Sequence, residues 1–227
     1  MKIRNTEVTG RKSGVPGWLE KIRHLAFMSF AVLLLASVSP AAGPEDQVTN
    51  IQKAYEGMKD ISGSFVQKSR IKDLKRTDTY RGNFFIKPPK LKWEYTGDKP
   101  QAIYVNRDQI MIYHKKENQV FSSKFDGATY GQAPIALLAG FGDIRKEFDV
   151  VSNSSELLVL KPKHPMGSIS RIEIKPAESG FPIKVITIID NRSNSVDITL
   201  ANVKMNTGLK DSLFHFTPPK GATVMEF

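Results

Sequence analysis

The stretch Gly82-Asn83-Phe84-Phe85-Ile86-Lys87-Pro88-Pro89-Lys90-Leu91-Lys92-Trp93-Glu94-Tyr95 reads as two strands around a break. Before the break, Tyr80, Gly82, Phe84 and Ile86 alternate with Arg81, Asn83, Phe85 and Lys87. The two prolines lack backbone N–H donors and stop the strand. After them Leu91, Trp93 and Tyr95 alternate with Lys90, Lys92 and Glu94. A period of two with this contrast predicts antiparallel strands, one face apolar and the other wet.

The same period recurs on both sides. Residues 61–67 read as a first strand. Residues 101–105 and 109–114 flank a turn at Asn106-Arg107-Asp108, and 119–125 follow a turn at Glu117-Asn118. Further strands are expected over 146–152, 156–162, 169–175, 183–190 and 195–203, with a hairpin turn at Asn191-Arg192-Ser193-Asn194. In the last strand Val196, Ile198 and Leu200 share a phase that Val203 breaks, which predicts a slip near its end. The chain then closes on an extended tail after Leu213-Phe214-His215-Phe216. The cluster Lys68, Arg70, Lys72, Lys75 and Arg76 lies between two apolar segments and reads as a charged hairpin loop.

Two segments have a helical pattern. In 44–58, Pro44 suits the first helical position and Glu45 and Asp46 the positive end of the dipole. Val48, Ile51, Tyr55 and Met58 form one apolar stripe. In 134–139, Pro134-Ile135-Ala136-Leu137-Leu138-Ala139 is an apolar run followed by Gly140 and Gly142. It reads as a short helix, either packed or acting as a lid.

The expected class is mainly β with a few helices. About eleven strands in one antiparallel sheet must curl, because sheets twist. The concave face then needs side chains or a cover to fill it. The pattern leaves both open, a filled core and a cavity with a removable cover.

The N-terminus has the plan of a secretory signal. Lys2, Arg4, Arg11, Lys12, Lys21 and Arg23 precede an apolar run over 25–38, and Ser39-Pro40-Ala41-Ala42-Gly43 is small and cleavable. At 14 residues the run is short of the roughly 20 that span a bilayer. Cleavage after Ala41 divides the chain into a signal, 1–41, and one domain, 42–227. The chain has no cysteine. Disulfides, thiolate chemistry and an acylated N-terminal cysteine are therefore excluded. The formal charge of +10 falls to +6 once the six cations and two glutamates of the signal are removed. For an exported protein this favours an acidic partner or a solvated surface over nucleic acid.

No catalytic constellation stands out. His114, His164 and His215 have neither metal-like spacing nor a nucleophile motif beside them, and the carboxylates are scattered. Neither metal nor cofactor is expected.

Taken in order, these features resemble the periplasmic outer-membrane lipoprotein carrier family, the LolA type. The motifs are Ile61-Ser62-Gly63-Ser64-Phe65-Val66-Gln67, the 82–95 stretch, Gln119-Val120, Pro134-Ile135-Ala136-Leu137-Leu138, and Phe214-His215-Phe216-Thr217-Pro218-Pro219-Lys220-Gly221. The resemblance covers nearly all of 42–227. It implies an incomplete antiparallel barrel with a helical lid over an apolar cavity. It also implies a monomeric periplasmic chaperone that takes acylated lipoproteins from an ATP-driven inner-membrane release complex to an outer-membrane receptor. On this reading Phe84, Leu91, Trp93, Ile103 and Ile110 wall the cavity, and Leu137 and Leu138 belong to the lid. The family's lid-bonding arginine is replaced by Lys87, expected to tether the lid less tightly because lysine has no planar fork. A sensor of the same fold, or a carrier of another apolar cargo such as a glycolipid, is the alternative.

Overall fold

The computed structural model describes residues 46–106, 109–124 and 143–226. The expected signal, 1–41, and the expected lid around Leu137 and Leu138 lie outside the described residues.

Helix α1 spans Gln47–Glu56 and starts later than Pro44. Asp46 sets the start, because its carboxylate accepts the Val48 N–H at 3.2 Å and the Thr49 hydroxyl at 2.6 Å. The chain then enters strands β1 (Ile61–Ile71) and β2 (Arg76–Lys87). The basic cluster is thus not a long loop. The ladder continues through Arg70↔Thr77 and Ile71↔Arg76, and only residues 72–75 turn. With both faces solvated there, no apolar alternation marks the hairpin arms. A cis peptide joins Pro88 to Pro89 ahead of β3 (Lys90–Thr96).

Strands β4 (Gln101–Asn106), β5 (Gln109–His114) and β6 (Gln119–Lys124) continue the meander. A short helix α2 (Ile144–Glu147) takes the start of the segment read as strand, and β7 is Phe148–Asn153. Strands β8 (Leu158–Pro162), β9 (Ile169–Pro176), β10 (Ile183–Asp190) and β11 (Ser195–Met205) follow. The phase slip falls in β11: Asn202 has φ 53° and the register with β1 jumps between Ser62 and Ser64. The tail is not merely extended. It forms a 3₁₀ turn, Asp211–Phe214, and a strand β12, Thr223–Glu226, parallel to β6.

The twelve strands of the described residues form one open sheet in the order β12-β6-β5-β4-β3-β2-β1-β11-β10-β9-β8-β7. Two meanders meet where β1 pairs with β11. Because side chains alternate between faces, the register aligns them in rows across β1–β6. One inward row is Ile61, Ile86, Leu91, Val105 and Ile110. The next is Gly63, Phe84, Trp93, Ile103, Ile112 and Phe121. The third is Phe65, Gly82, Tyr95, Gln101, His114 and Gln119, and Gln67 opposite Tyr80 begins a fourth.

Ile61, Ile86, Leu91, Val105 and Ile110 of the first row and Phe84, Trp93 and Ile103 of the second, with Ile172, Ile174, Ile186, Ile198 and Leu200 from the other meander, make one continuous core. Val48 and Ile51 of α1 are buried in it. Each such side chain contributes roughly 1.5–3 kcal/mol when fully buried. Both ends of α1 are tied down. At its start Asp46 accepts Arg145 at 2.7 Å and Asn153 at 2.6 Å. At its end the Gly57 carbonyl accepts Asn206 Nδ2 at 3.0 Å.

The C-terminal segment packs on the outer face. Phe216 stacks on Tyr104 at 4.7 Å and lies 5.2 Å from Tyr113. Its root is held by Asp60, whose buried carboxylate accepts the backbone N–H groups of Thr207, Gly208 and Leu209 at 2.8, 2.9 and 3.2 Å. Burial pushes the Asp60 carboxyl upward, but these bonds outweigh it and hold it below the ordinary value.

Candidate functional site

The inward face carries an aromatic wall. Trp93 lies between Phe65, at 3.8 Å and 24°, and Phe84, at 5.7 Å and 27°. Tyr95 meets Phe65 edge-on at 5.4 Å. Gly82 makes this stack possible. A Cβ there would collide with the Glu94 carbonyl and come within 2.7 Å of the Phe65 ring.

Beyond the wall, the concave face holds two neighbouring spaces. One, of about 390 Å³, is lined by Gln101, Ile110, Ile112, His114, Phe121, Ser122 and Ser123. All but Ser122 share the inward phase. The other, of about 340 Å³, is lined by polar groups of the third and fourth rows and by Ser69, together with Ile103 and the turn residues Lys99, Pro100 and Glu117. Gln101 and His114 border both. In the second space the Tyr95 hydroxyl donates to Gln67 Oε1 at 2.9 Å, and Gln67 Nε2 donates to Ser69 at 3.0 Å. Burial pushes the Tyr95 phenol up to about 12, so it stays a neutral donor across the physiological range.

A larger groove, about 700 Å³, lies on the opposite face of β1, β11, β10 and β9. Lys68, Arg70, Lys72, Arg171 and Lys175 line it against Glu173, Asp190 and Asp197. Arg171 is paired with Glu173 at 2.9 Å, and Asp190 caps its own turn through Arg192 and Asn194. Its charged lining suits an acidic surface and not an alkyl chain. Among the described residues no group of three metal-ligating side chains occurs, and no helix is long and apolar enough to cross a membrane.

The family model described as "Outer membrane lipoprotein carrier protein LolA" matches residues 56–217. The chain belongs to the outer membrane lipoprotein carrier family. A curated carrier from Cupriavidus pinatubonensis is 32% identical over 209 residues, covering 88% of this chain and 96% of its own. One from Neisseria meningitidis is 28% identical over 204 residues, covering 88% and 95%. Both are named outer-membrane lipoprotein carrier protein. Among solved structures, an uncharacterized conserved protein from Thermus thermophilus is similar in fold, with TM-score 0.50 and 11% identity over 80% of this chain and 97% of that one.

Within this carrier fold the expected wall residues all face inward, but they divide. Phe84, Leu91 and Trp93 are completely buried in the core and border neither space. Ile103 and Ile110, also buried, border one space each. Sequence reasoning passed over Ile112 and Phe121, which line the apolar space, and His114 and Gln101, which join the two. The signal was present: all four share the phase of Ile103 and Ile110. Lys87 lies in the other phase. Its ammonium reaches the Leu209 carbonyl at 3.0 Å and Asp211 at 3.1 Å, and Lys90 joins the same carboxylate at 3.2 Å. These two lysines hold the Asp211 carboxyl below its ordinary value. The described partners of Lys87 are therefore in the C-terminal segment.

Proposed function

We propose that the protein is a periplasmic chaperone that shelters the acyl chains of lipoproteins, taking them from an inner-membrane release complex and passing them to an outer-membrane receptor. The observation that carries this is an apolar space bounded by Ile110, Ile112 and Phe121 on the concave face of a carrier-family sheet. Burying acyl chain contributes roughly 0.8 kcal/mol per methylene, so a chain of about fifteen resists leaving a membrane by on the order of 12 kcal/mol. A carrier must offer comparable apolar area and conceal it when empty. On this reading Phe84, Leu91, Trp93, Ile103 and Ile110 are the concealed wall. It opens when α1 and a lid containing Leu137 and Leu138 move aside, with Lys87 setting how tightly the cover is held. The outer basic groove docks an acidic face of a partner. The segment 1–41 directs export, and the carrier works as a monomer without catalysis or cofactor.

The test is release. Inner-membrane vesicles carrying a radiolabelled lipoprotein and a compatible release complex are mixed with the protein, and the supernatant is examined for a soluble one-to-one complex. Release of the acylated form alone supports the reading. Failure to release with a folded carrier moves the cargo to another apolar ligand.

A further inference from the structure

The inward rows of β1–β6 change chemistry along the strands. Two apolar rows give way to one carrying Tyr95, Gln101 and His114, and then to Gln67 and Tyr80. The apolar and polar spaces meet at Gln101 and His114, which line both. Any ligand whose tail fills the first presents its next atoms to hydrogen-bonding side chains in the second.

The polar side is partly spent and partly available. The Tyr95–Gln67–Ser69 chain is internally satisfied and fixes its own geometry. The Gln101 and His114 side chains make no hydrogen bond among the described residues. A carboxamide donates two N–H bonds and an imidazole at least one. Among the described residues, the charged groups lining this space are Lys99 and Glu117, one of each sign. A phosphate would find no net positive charge there, whereas neutral carbonyl oxygens suit the donors.

We infer that Gln101 and His114, backed by the Tyr95–Gln67 pair, form a subsite for the ester and amide carbonyls that join fatty acyl chains to a peptide N-terminus. This rests on the carrier reading. The alkyl tails occupy the apolar space, and the linkage is read at its border. Because burying an unpaired carbonyl is unfavourable, the subsite favours acyl linkages over plain hydrocarbon.

The experiment compares three probes against the purified protein: a triacylated lipopeptide, an analogue of equal chain length with its carbonyls replaced by methylenes, and a diacyl phospholipid. The lipopeptide is expected to bind roughly tenfold more tightly than the carbonyl-free analogue. In the double variant Gln101→Leu/His114→Leu the lipopeptide falls to the analogue's affinity while the analogue is unchanged. If that variant fails to fold, Gln101→Met alone is used and is expected to lose a few-fold for the lipopeptide only. Equal binding of lipopeptide and analogue to the native protein overturns the subsite. So does an equal loss of both in the variant. Phospholipid competing as well as lipopeptide overturns the assignment to a peptide linkage. If none of the probes binds, the carrier reading fails with it.

Discussion

The half of the concave face built by β1–β3 and the half built by β4–β6 share one alternation and meet different ends. In the first, Phe65, Phe84 and Trp93 stack into a closed wall, and open space begins only beyond it, at Gln67, Tyr80 and Tyr95. In the second, Ile112, His114 and Phe121 are only half-buried and border open space. The difference is side-chain volume row by row. Aromatic rings with a glycine opposite close the apolar rows of the first half, while Ile112 and Phe121 leave those of the second unfilled. The apolar rows of the first half therefore supply stability, and those of the second are free to bind.

Truncation should separate the halves most sharply. Trp93→Ala is expected to destabilise by about 3–5 kcal/mol, read from urea unfolding. A loss below about 1 kcal/mol would show that the wall is not closed and would erase the contrast. Gly82→Ala forces a methyl toward the Glu94 carbonyl and the Phe65 ring, and should destabilise by about 1–3 kcal/mol in the same measurement. Asp60→Asn removes the charge that holds three backbone N–H groups, at about 1.5–3 kcal/mol.

The carboxylates also fix the acid response. A carboxylate lowered by folding adds stability above its unfolded pKa and loses it as pH falls through the folded value. Hydrogen bonds from Thr49 and Asn153, with Arg145 nearby, lower Asp46 from 3.8 to about 2, so its share disappears between those values. Acid unfolding should steepen there, and Asp46→Ala should flatten it. In the open half, Ile112→Ala is expected to change stability by under about 1 kcal/mol while weakening lipopeptide binding several-fold. The reverse outcome would assign Ile112 to the core. Smallest of all, Lys68→Glu should leave stability within about 0.5 kcal/mol and lower the salt sensitivity of cargo transfer.

Most of the sheet was legible because alternation is visible wherever one face is buried. Leu91, Trp93 and Tyr95 announced β3, and Val203 announced the slip in β11. The outer half of the β1–β2 hairpin was not legible, since Lys68, Arg70 and Thr77 lie where neither face is apolar. Nor was β12: Thr223–Glu226 carries no pattern of its own and becomes a strand only beside β6. The expected wall residues share one inward phase. Which of them border open volume depends on how rings from three strands fit together, a property of packing that periodicity does not encode.

The pairing of β1 with β11 has a consequence in time. Ile61 waits for Met205, and Asp60 for Thr207, across nearly the full length of the domain. Contacts so distant along the chain form slowly, because a long loop must close before any stabilisation is returned. Whether the chain leaves a ribosome or threads a membrane pore, its first strand emerges long before its last partner. The sheet therefore cannot be completed vectorially, and its central seam closes only after β11 has arrived. Until then the apolar side of β1 stays uncovered and in need of protection, so a carrier that shelters others must first be sheltered itself.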